Sequence, residues 1–155
     1  MLLVETRLQI SPVHGLGLFA AQFLYRDSLI WRFQQGFDLA LTLEEIASLS
    51  EEAQRQLFHY SYFEPNRDVF ILCSDDARFM NHADTPNCLD YISSDGQLAM
   101  KALRDIRPGE ELTCDYRIFG EDLDFQAQPG SWIEGLYAMR QAALKASLLD
   151  ERRLK

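Results

Sequence analysis

Three stretches of this 155-residue chain bring together residue types that do chemistry at close spacing. The first, Gly15-Leu16-Gly17-Leu18-Phe19-Ala20, places two glycines where a backbone turns or comes close to a ligand. The second runs Asp76-Ala77-Arg78-Phe79-Met80-Asn81-His82 and continues Ala83-Asp84-Thr85-Pro86-Asn87-Cys88. The third runs Ala102-Leu103-Arg104-Asp105-Ile106-Arg107-Pro108-Gly109-Glu110-Glu111-Leu112-Thr113-Cys114-Asp115-Tyr116. Between them they offer an amide, an imidazole, several carboxylates and a phenol. Taken singly, Asn81-His82 reads as a hydrogen-bonded core pair and Tyr116 as an ordinary strand aromatic.

Some chemistries fail on context. The glycines form a G-x-G-x-x-A string with Asp38 eighteen residues beyond Ala20, where a ribose-binding acid would stand in a dinucleotide fold. That fold needs a helix from Gly17 and parallel strand–helix units after it. Only about ten residues follow Gly17 before the next apparent strand, and Phe19, Phe23 and Tyr25 crowd them. A metal site from His82, Asp84 and Cys88 has no recognisable ligand spacing, and the chain holds three His in all. No metal is expected. Glu110, Glu111 and Asp115 read as solvated acids of a turn and a strand end.

Taken together and in order, the three stretches resemble the SET-domain family. Its signatures are a G-x-G-L-F-A opening, an R-F-x-N-H-x-x-x-P-N-C block and an L-x-D-I-x-x-G-E-E-L-T-x-D-Y block, which here span Gly15 to Tyr116. The resemblance implies a SET fold of small antiparallel sheets in which the Asn-His segment and the Tyr strand pack into a pseudoknot. It also implies transfer of methyl groups from S-adenosylmethionine to lysine in a protein substrate. Carried over by position, His14, Gly15, Leu16 and Gly17 would hold the cofactor. Arg78, Phe79, Asn81, His82 and Tyr116 would line the same pocket, with Tyr116 as the catalytic residue. Phe33, Tyr91 and Cys114 would meet the substrate lysine.

The chain departs from the family at several of these positions. Phe33 stands where many members have a Tyr in the lysine channel, and Tyr91 on a neighbouring strand is the expected replacement. Cys114 stands where many carry an aromatic tied to the number of methyl groups accepted, so the smaller side chain predicts multiple methylation. Ala83-Asp84 replaces the usual Ser-Cys. No Cys follows Cys114, so the zinc cluster that closes the channel in many members is missing. A C-terminal helical extension over 121–155 is expected to close the site beyond a SET domain over 1–120, with Trp132 or Phe125 covering the adenine or packing in the core. A SET-fold protein-binding module with weak or no turnover is the alternative, and a small-molecule or non-lysine methyltransferase is a third reading.

The elements that must position these residues are α+β, mostly β. Val4, Thr6, Leu8 and Ile10 alternate with polar residues, the period-2 pattern of a half-buried strand, and Ser11-Pro12 breaks it. Leu18-Phe19-Ala20, Leu29 to Phe33 and Val69 to Cys73 read as further strands. Thr42 and Glu45 form a capping box that opens a helix through about Leu49, and Ser50 caps another to about Tyr60. Asp95-Gly96 between Leu89–Ser93 and Gln97–Lys101 signals a hairpin. Arg107-Pro108-Gly109-Glu110 suits a type II turn. A second capping box, Ser131 with Glu134, opens a terminal helix with the stripe Trp132, Leu136, Met139 and Ala143.

Composition bounds the partners. Apolar residues are 47% and charged residues 25%, an ordinary globular balance. Fifteen basic residues against 24 acidic give a net charge of −9. That excess argues against direct binding of nucleic acid, whose phosphates attract Lys and Arg. It suits a basic, lysine-containing protein instead. No window approaches the ~18 apolar residues of a membrane span, and Met1 to Glu5 lacks a secretory n-region and h-region. A cytoplasmic protein with reduced thiols at Cys73, Cys88 and Cys114 is expected.

Overall fold

The computed structural model describes residues 1–116, 135–138, 140 and 141. The chain divides into two compact units, Met1–Asp38 with Cys73–Asp115, and Leu39–Leu72 with Tyr116–Lys155.

In the first unit the alternating N-terminal segment forms β1 (Thr6–Ile10), antiparallel to β2 (Leu16–Ala20). Three more strands, β3 (Leu29–Arg32), β8 (Cys88–Ile92) and β9 (Leu98–Ala102), make a sheet in the order β3-β9-β8. The hairpin signalled by Asp95-Gly96 joins β8 to β9, closed by the Ser93 carbonyl accepting from Gly96 N at 2.8 Å and by Ser93 N donating to Gln97 O at 2.9 Å. The Pro108-Gly109 turn has Gly109 at φ +87°, which is why glycine stands there. Leu18, Leu24, Ile30, Ile106 and Leu112 are fully buried and form the centre of this unit.

Two strands of two residues each escaped the sequence pattern. β7 (Asn81–His82) follows a 3-10 turn over Asp76–Phe79, and β10 (Thr113–Cys114) precedes Tyr116. They pair in parallel, Thr113 beside Asn81 and Cys114 beside His82. The segment leading into β10 also bonds to β2, through Leu112 N to Leu18 O at 2.7 Å and Ala20 N to Glu110 O at 2.9 Å. The Asn-His segment and the strand before Tyr116 thus pack side by side.

In the second unit β4 (Leu39–Leu41), β5 (Tyr62–Glu64) and β6 (Val69–Leu72) form an antiparallel sheet in the order β4-β6-β5. Two helices lie between β4 and β5 in sequence, α1 (Leu43–Ala47) and α2 (Glu51–Tyr60). Both start where the caps predict. Thr42 Oγ1 accepts from Glu45 N at 3.2 Å while Glu45 Oε2 accepts from Thr42 N at 2.8 Å, and Ser50 Oγ accepts from Ala53 N at 3.4 Å. α1 stops at Ala47, two residues short of the expected end, with Ser48 as its C-cap. Residues 135–138, 140 and 141 are helical, and Leu136 is fully buried with Ile46, Leu57, Phe63 and Phe70. Leu136 is the one position of the terminal stripe among the described residues. Arg140 forks onto Asp68 with two contacts of 2.6 Å, which holds the Asp68 carboxyl below the usual range. Phe125, Ser131, Trp132, Glu134, Met139 and Ala143 lie outside the described residues.

Candidate functional site

The G-x-G segment is the bend between β1 and β2, and its two glycines serve different ends. Gly15 takes φ +49° with open space around its Cα, so it is there for its backbone angle. Gly17 is there for room. A Cβ at Gly17 would stand 2.8 Å from Glu111 Cδ and 3.0 Å from Ser11 Cβ.

Glu111 is the hub of this region. Its carboxylate accepts from Ser11 Oγ at 2.8 and 2.9 Å and from Asn81 Nδ2 at 2.8 Å. Ser11 Oγ in turn accepts from Val13 N at 2.9 Å and His14 N at 3.3 Å. Asn81 Nδ2 also donates to the carbonyls of His14 and Leu16, both at 3.1 Å. All three groups around that nitrogen are acceptors, so the amide is oriented nitrogen-inward, and its two hydrogens are shared among them. The loop from Ser11 to Leu16 is therefore held from below through its N–H groups and from the side through its carbonyls, with one carboxylate anchoring both. Reading Glu111 as a solvated strand-end acid is corrected by these bonds; the partner that changes its role, Ser11, is 100 residues away. Glu110 does cap its turn, accepting from Arg107 N and pairing with Arg104, each at 2.8 Å, which lowers its pKa.

Asn87 holds the neighbouring stretch. Its Nδ2 donates to Glu111 O at 2.8 Å and its Oδ1 accepts from Thr113 N at 2.9 Å, so one buried side chain stands in for a strand partner. The P-N-C motif contained it without revealing that task. His82 lies between two carboxylates, Nε2 3.6 Å from Asp84 and Nδ1 3.7 Å from Asp115. Arg78 is exposed and its guanidinium lies 5.2 Å from the centre of the Phe79 ring. Among the described residues no group of three or more His, Cys, Asp or Glu gathers as metal ligands.

The substrate-side candidates fall on two faces of the β3-β9-β8 sheet. Phe33 N donates to Leu98 O at 2.8 Å, continuing the ladder one residue beyond β3. Trp31 pairs with Met100 and Met100 with Asp90, so Phe33, Trp31, Leu98, Met100, Asp90 and Cys88 share one face. Tyr91 is paired with Ala99, as Arg32 is, and so points to the other face, where Lys101 Nζ lies 5.6 Å from its ring centre. Tyr91 is thus not brought to Phe33: β9 separates their strands, and the pleat turns the two rings to opposite sides. Cys114 is buried, and its thiol is held well above its usual pKa by burial first, then by Asp90 and Cys88 nearby. Tyr116 is half-buried and follows Asp115 directly, as the first residue of the second unit.

Comparison with known proteins adds the family. A profile of the SET domain matches residues 15–117. The histone-lysine N-methyltransferase trr of Drosophila melanogaster is 30% identical over 116 residues, covering 72% of this chain and 5% of that protein. The H3 lysine-4 specific histone-lysine N-methyltransferase of Schizosaccharomyces pombe is 31% identical over 122 residues, covering 74% of this chain and 13% of that protein. The chain therefore spans only a small part of the length of these relatives. Among solved structures, Chaetomium thermophilum Polycomb Repressive Complex 2 bound to S-adenosylmethionine matches with a TM-score of 0.56 at 20% identity, over 79% of this chain and 16% of that one. The same complex bound to GSK126 matches with a TM-score of 0.59 at 20% identity, over 79% of this chain and 17% of that one. At that identity the structural likeness is one of fold.

Proposed function

The chain belongs to the SET-domain family, and from that premise we propose that it is an S-adenosylmethionine-dependent methyltransferase acting on lysine side chains of a basic protein. The observation that carries this reading is the Asn81 amide gripping the His14 and Leu16 carbonyls. It fixes the glycine loop that the family resemblance assigns to the cofactor. The relatives named as histone-lysine methyltransferases support the acceptor class, as does the net charge of −9.

Methyl transfer to an amine is an in-line displacement at a carbon already activated by its sulfonium, so the protein's work is positioning and desolvation. The nucleophile is the harder part. A free lysine has a pKa near 10.4, so at neutral pH only about one in a thousand is unprotonated, a deficit of roughly 4 kcal/mol. An apolar environment beside a cationic donor disfavours the ammonium by desolvation and by like charge. In this reading Phe33 and Cys114 belong to that environment. Tyr116 orients the amine lone pair, and the proton leaves to water before transfer.

Calorimetric titration with S-adenosylmethionine, with Asn81→Ala as control, tests the reading. Binding by the wild type that the substitution abolishes supports it, and radiolabelled methyl transfer to lysine in a basic protein completes it. A wild-type protein that takes up no donor at millimolar concentration overturns it in favour of a binding module.

A further inference from the structure

β1 is an outer strand, and one of its edges is open. The bonds from Ser11 N to Gly15 O and from Ala21 N to Glu5 O, both 2.9 Å, extend the register of β1 with β2 at either end. Bonded and non-bonded positions alternate along an antiparallel pair. Arg7 and Gln9 therefore turn their N–H and C=O groups toward β2, and Thr6, Leu8 and Ile10 turn theirs away from it. On β2 the outward groups at Leu18 and Ala20 are taken up by the segment leading into β10. Those of Thr6, Leu8 and Ile10 are bonded by nothing among the described residues. Folded proteins guard such an edge with Lys, Pro or a bulge. Thr6–Ile10 contains neither residue, and its register with β2 is unbroken. The side chains point the same way. Ile10 is 86% exposed beside its cross-strand neighbour Leu16, which is 47% exposed, and both share a face with Leu8.

We propose that this edge docks β1 of a second copy of the chain, antiparallel and with a two-fold axis at Leu8. The inference stands apart from the cofactor reading. In that register Leu8 faces the partner's Leu8, and Thr6 and Ile10 face the partner's Ile10 and Thr6. Every outward N–H and C=O of the three residues then meets its complement. Arg7 falls opposite the partner's Gln9 and Glu5 opposite the partner's Ser11, so no like charges oppose each other across the seam. That matters for a chain of net charge −9, whose copies repel at long range. Moving the axis to Arg7 instead sets that guanidinium against its own copy. With the axis at Leu8, the side chains of Leu8, Ile10 and Leu16 from both copies line one face of the joined sheet, and Ile10 is withdrawn from water. A two-fold contact uses the same strand on both sides, so it closes at two copies.

Sedimentation velocity of the purified chain at micromolar concentration reads the mass, and twice that of one chain is expected. Ile10→Lys, at a side chain that the single copy leaves in water, is expected to return the mass to that of one chain. Thr6→Pro, which deletes an outward N–H that the fold does not use, is expected to do the same. Amide hydrogen exchange identifies the seam. In wild type the Thr6 and Leu8 amides are expected to be protected, and in Ile10→Lys to lose that protection, while Arg7 and Gln9 stay protected in both. A wild type of single-chain mass overturns the inference. So does a dimer that survives both substitutions, or one in which the Thr6 and Leu8 amides exchange as freely as in Ile10→Lys.

Discussion

Asn81 Nδ2 lies 2.8 Å from Glu111 Oε1, and the contact joins two motifs thirty residues apart into one support for the glycine loop. Charge-assisted bonds of this kind are worth about 1.5–3 kcal/mol each, and Glu111 receives them from both Asn81 and Ser11. Glu111→Gln removes the charge but keeps the shape. It is expected to weaken S-adenosylmethionine binding by roughly tenfold with a smaller change in melting temperature. Glu111→Ala, which leaves both donors without their acceptor, is expected to do worse on both counts. Titration and thermal melting of the two variants check this, and unchanged affinity in both would remove Glu111 from any role in the loop.

The two glycines separate conformational from steric demand. Gly15→Ala meets no atom but forces a side chain into the left-handed region, at a cost of about 1–2 kcal/mol. Gly15→Asn should recover part of that, because Asn tolerates this region. Gly17→Ala instead drives its methyl into Glu111, so no choice of L residue rescues it. Combined with Glu111→Ala, Gly17→Ala should add less than its own separate cost, because the tighter of its two contacts, the one with the Glu111 carboxylate, is already removed and only that with Ser11 Cβ is left. A double-mutant cycle on melting free energies reads the difference.

What the sequence made legible was local. The capping box at Thr42 and Glu45, the Ser50 cap, the Asp95-Gly96 hairpin and the Gly109 turn each involve residues within a few positions, and each is found. β7 and β10 were illegible as strands because two residues carry no period, and their pairing spans some thirty positions. The same holds at the site. Asn81 drew attention through its motif, but Glu111 looked like any acid of a turn until Ser11 was beside it. The placement of Tyr91 and Phe33 on opposite faces of the β3-β9-β8 sheet follows from strand order and pleat parity, which sequence does not reveal.

Tyr116 is the one phenol that the family resemblance places at the chemistry. Tyr116→Phe keeps the ring and removes the hydroxyl that would orient the amine. Turnover is expected to fall by about a hundredfold or more, the range for losing a positioned polar group that acts in the transition state. Affinity for S-adenosylmethionine should stay within about threefold, since the donor does not need that hydroxyl to be held. Equal turnover of the two proteins at saturating donor and acceptor would take the catalytic role away from Tyr116.

The three thiols provide a test of the first unit's packing that needs no substrate. Cys73, Cys88 and Cys114 are all free and buried. Burial pushes the Cys88 thiol up to about 12, with Asp90 adding to it. It raises Cys73 and Cys114 as well, with help from Asp38 at the first and Asp90 at the second. A raised thiol pKa means less thiolate at a given pH, and the thiolate is the nucleophile. At pH 8 the native protein is therefore expected to leave a chromogenic disulfide reagent essentially unreacted over minutes, and to release three equivalents once denatured. Asp90→Asn should not open Cys88 or Cys114 to the reagent, because burial is the larger cause at both and the substitution leaves it in place. Rapid native labelling of Cys114 would mean that β10 is not packed against β7 as described, and the support for the glycine loop would have to be redrawn.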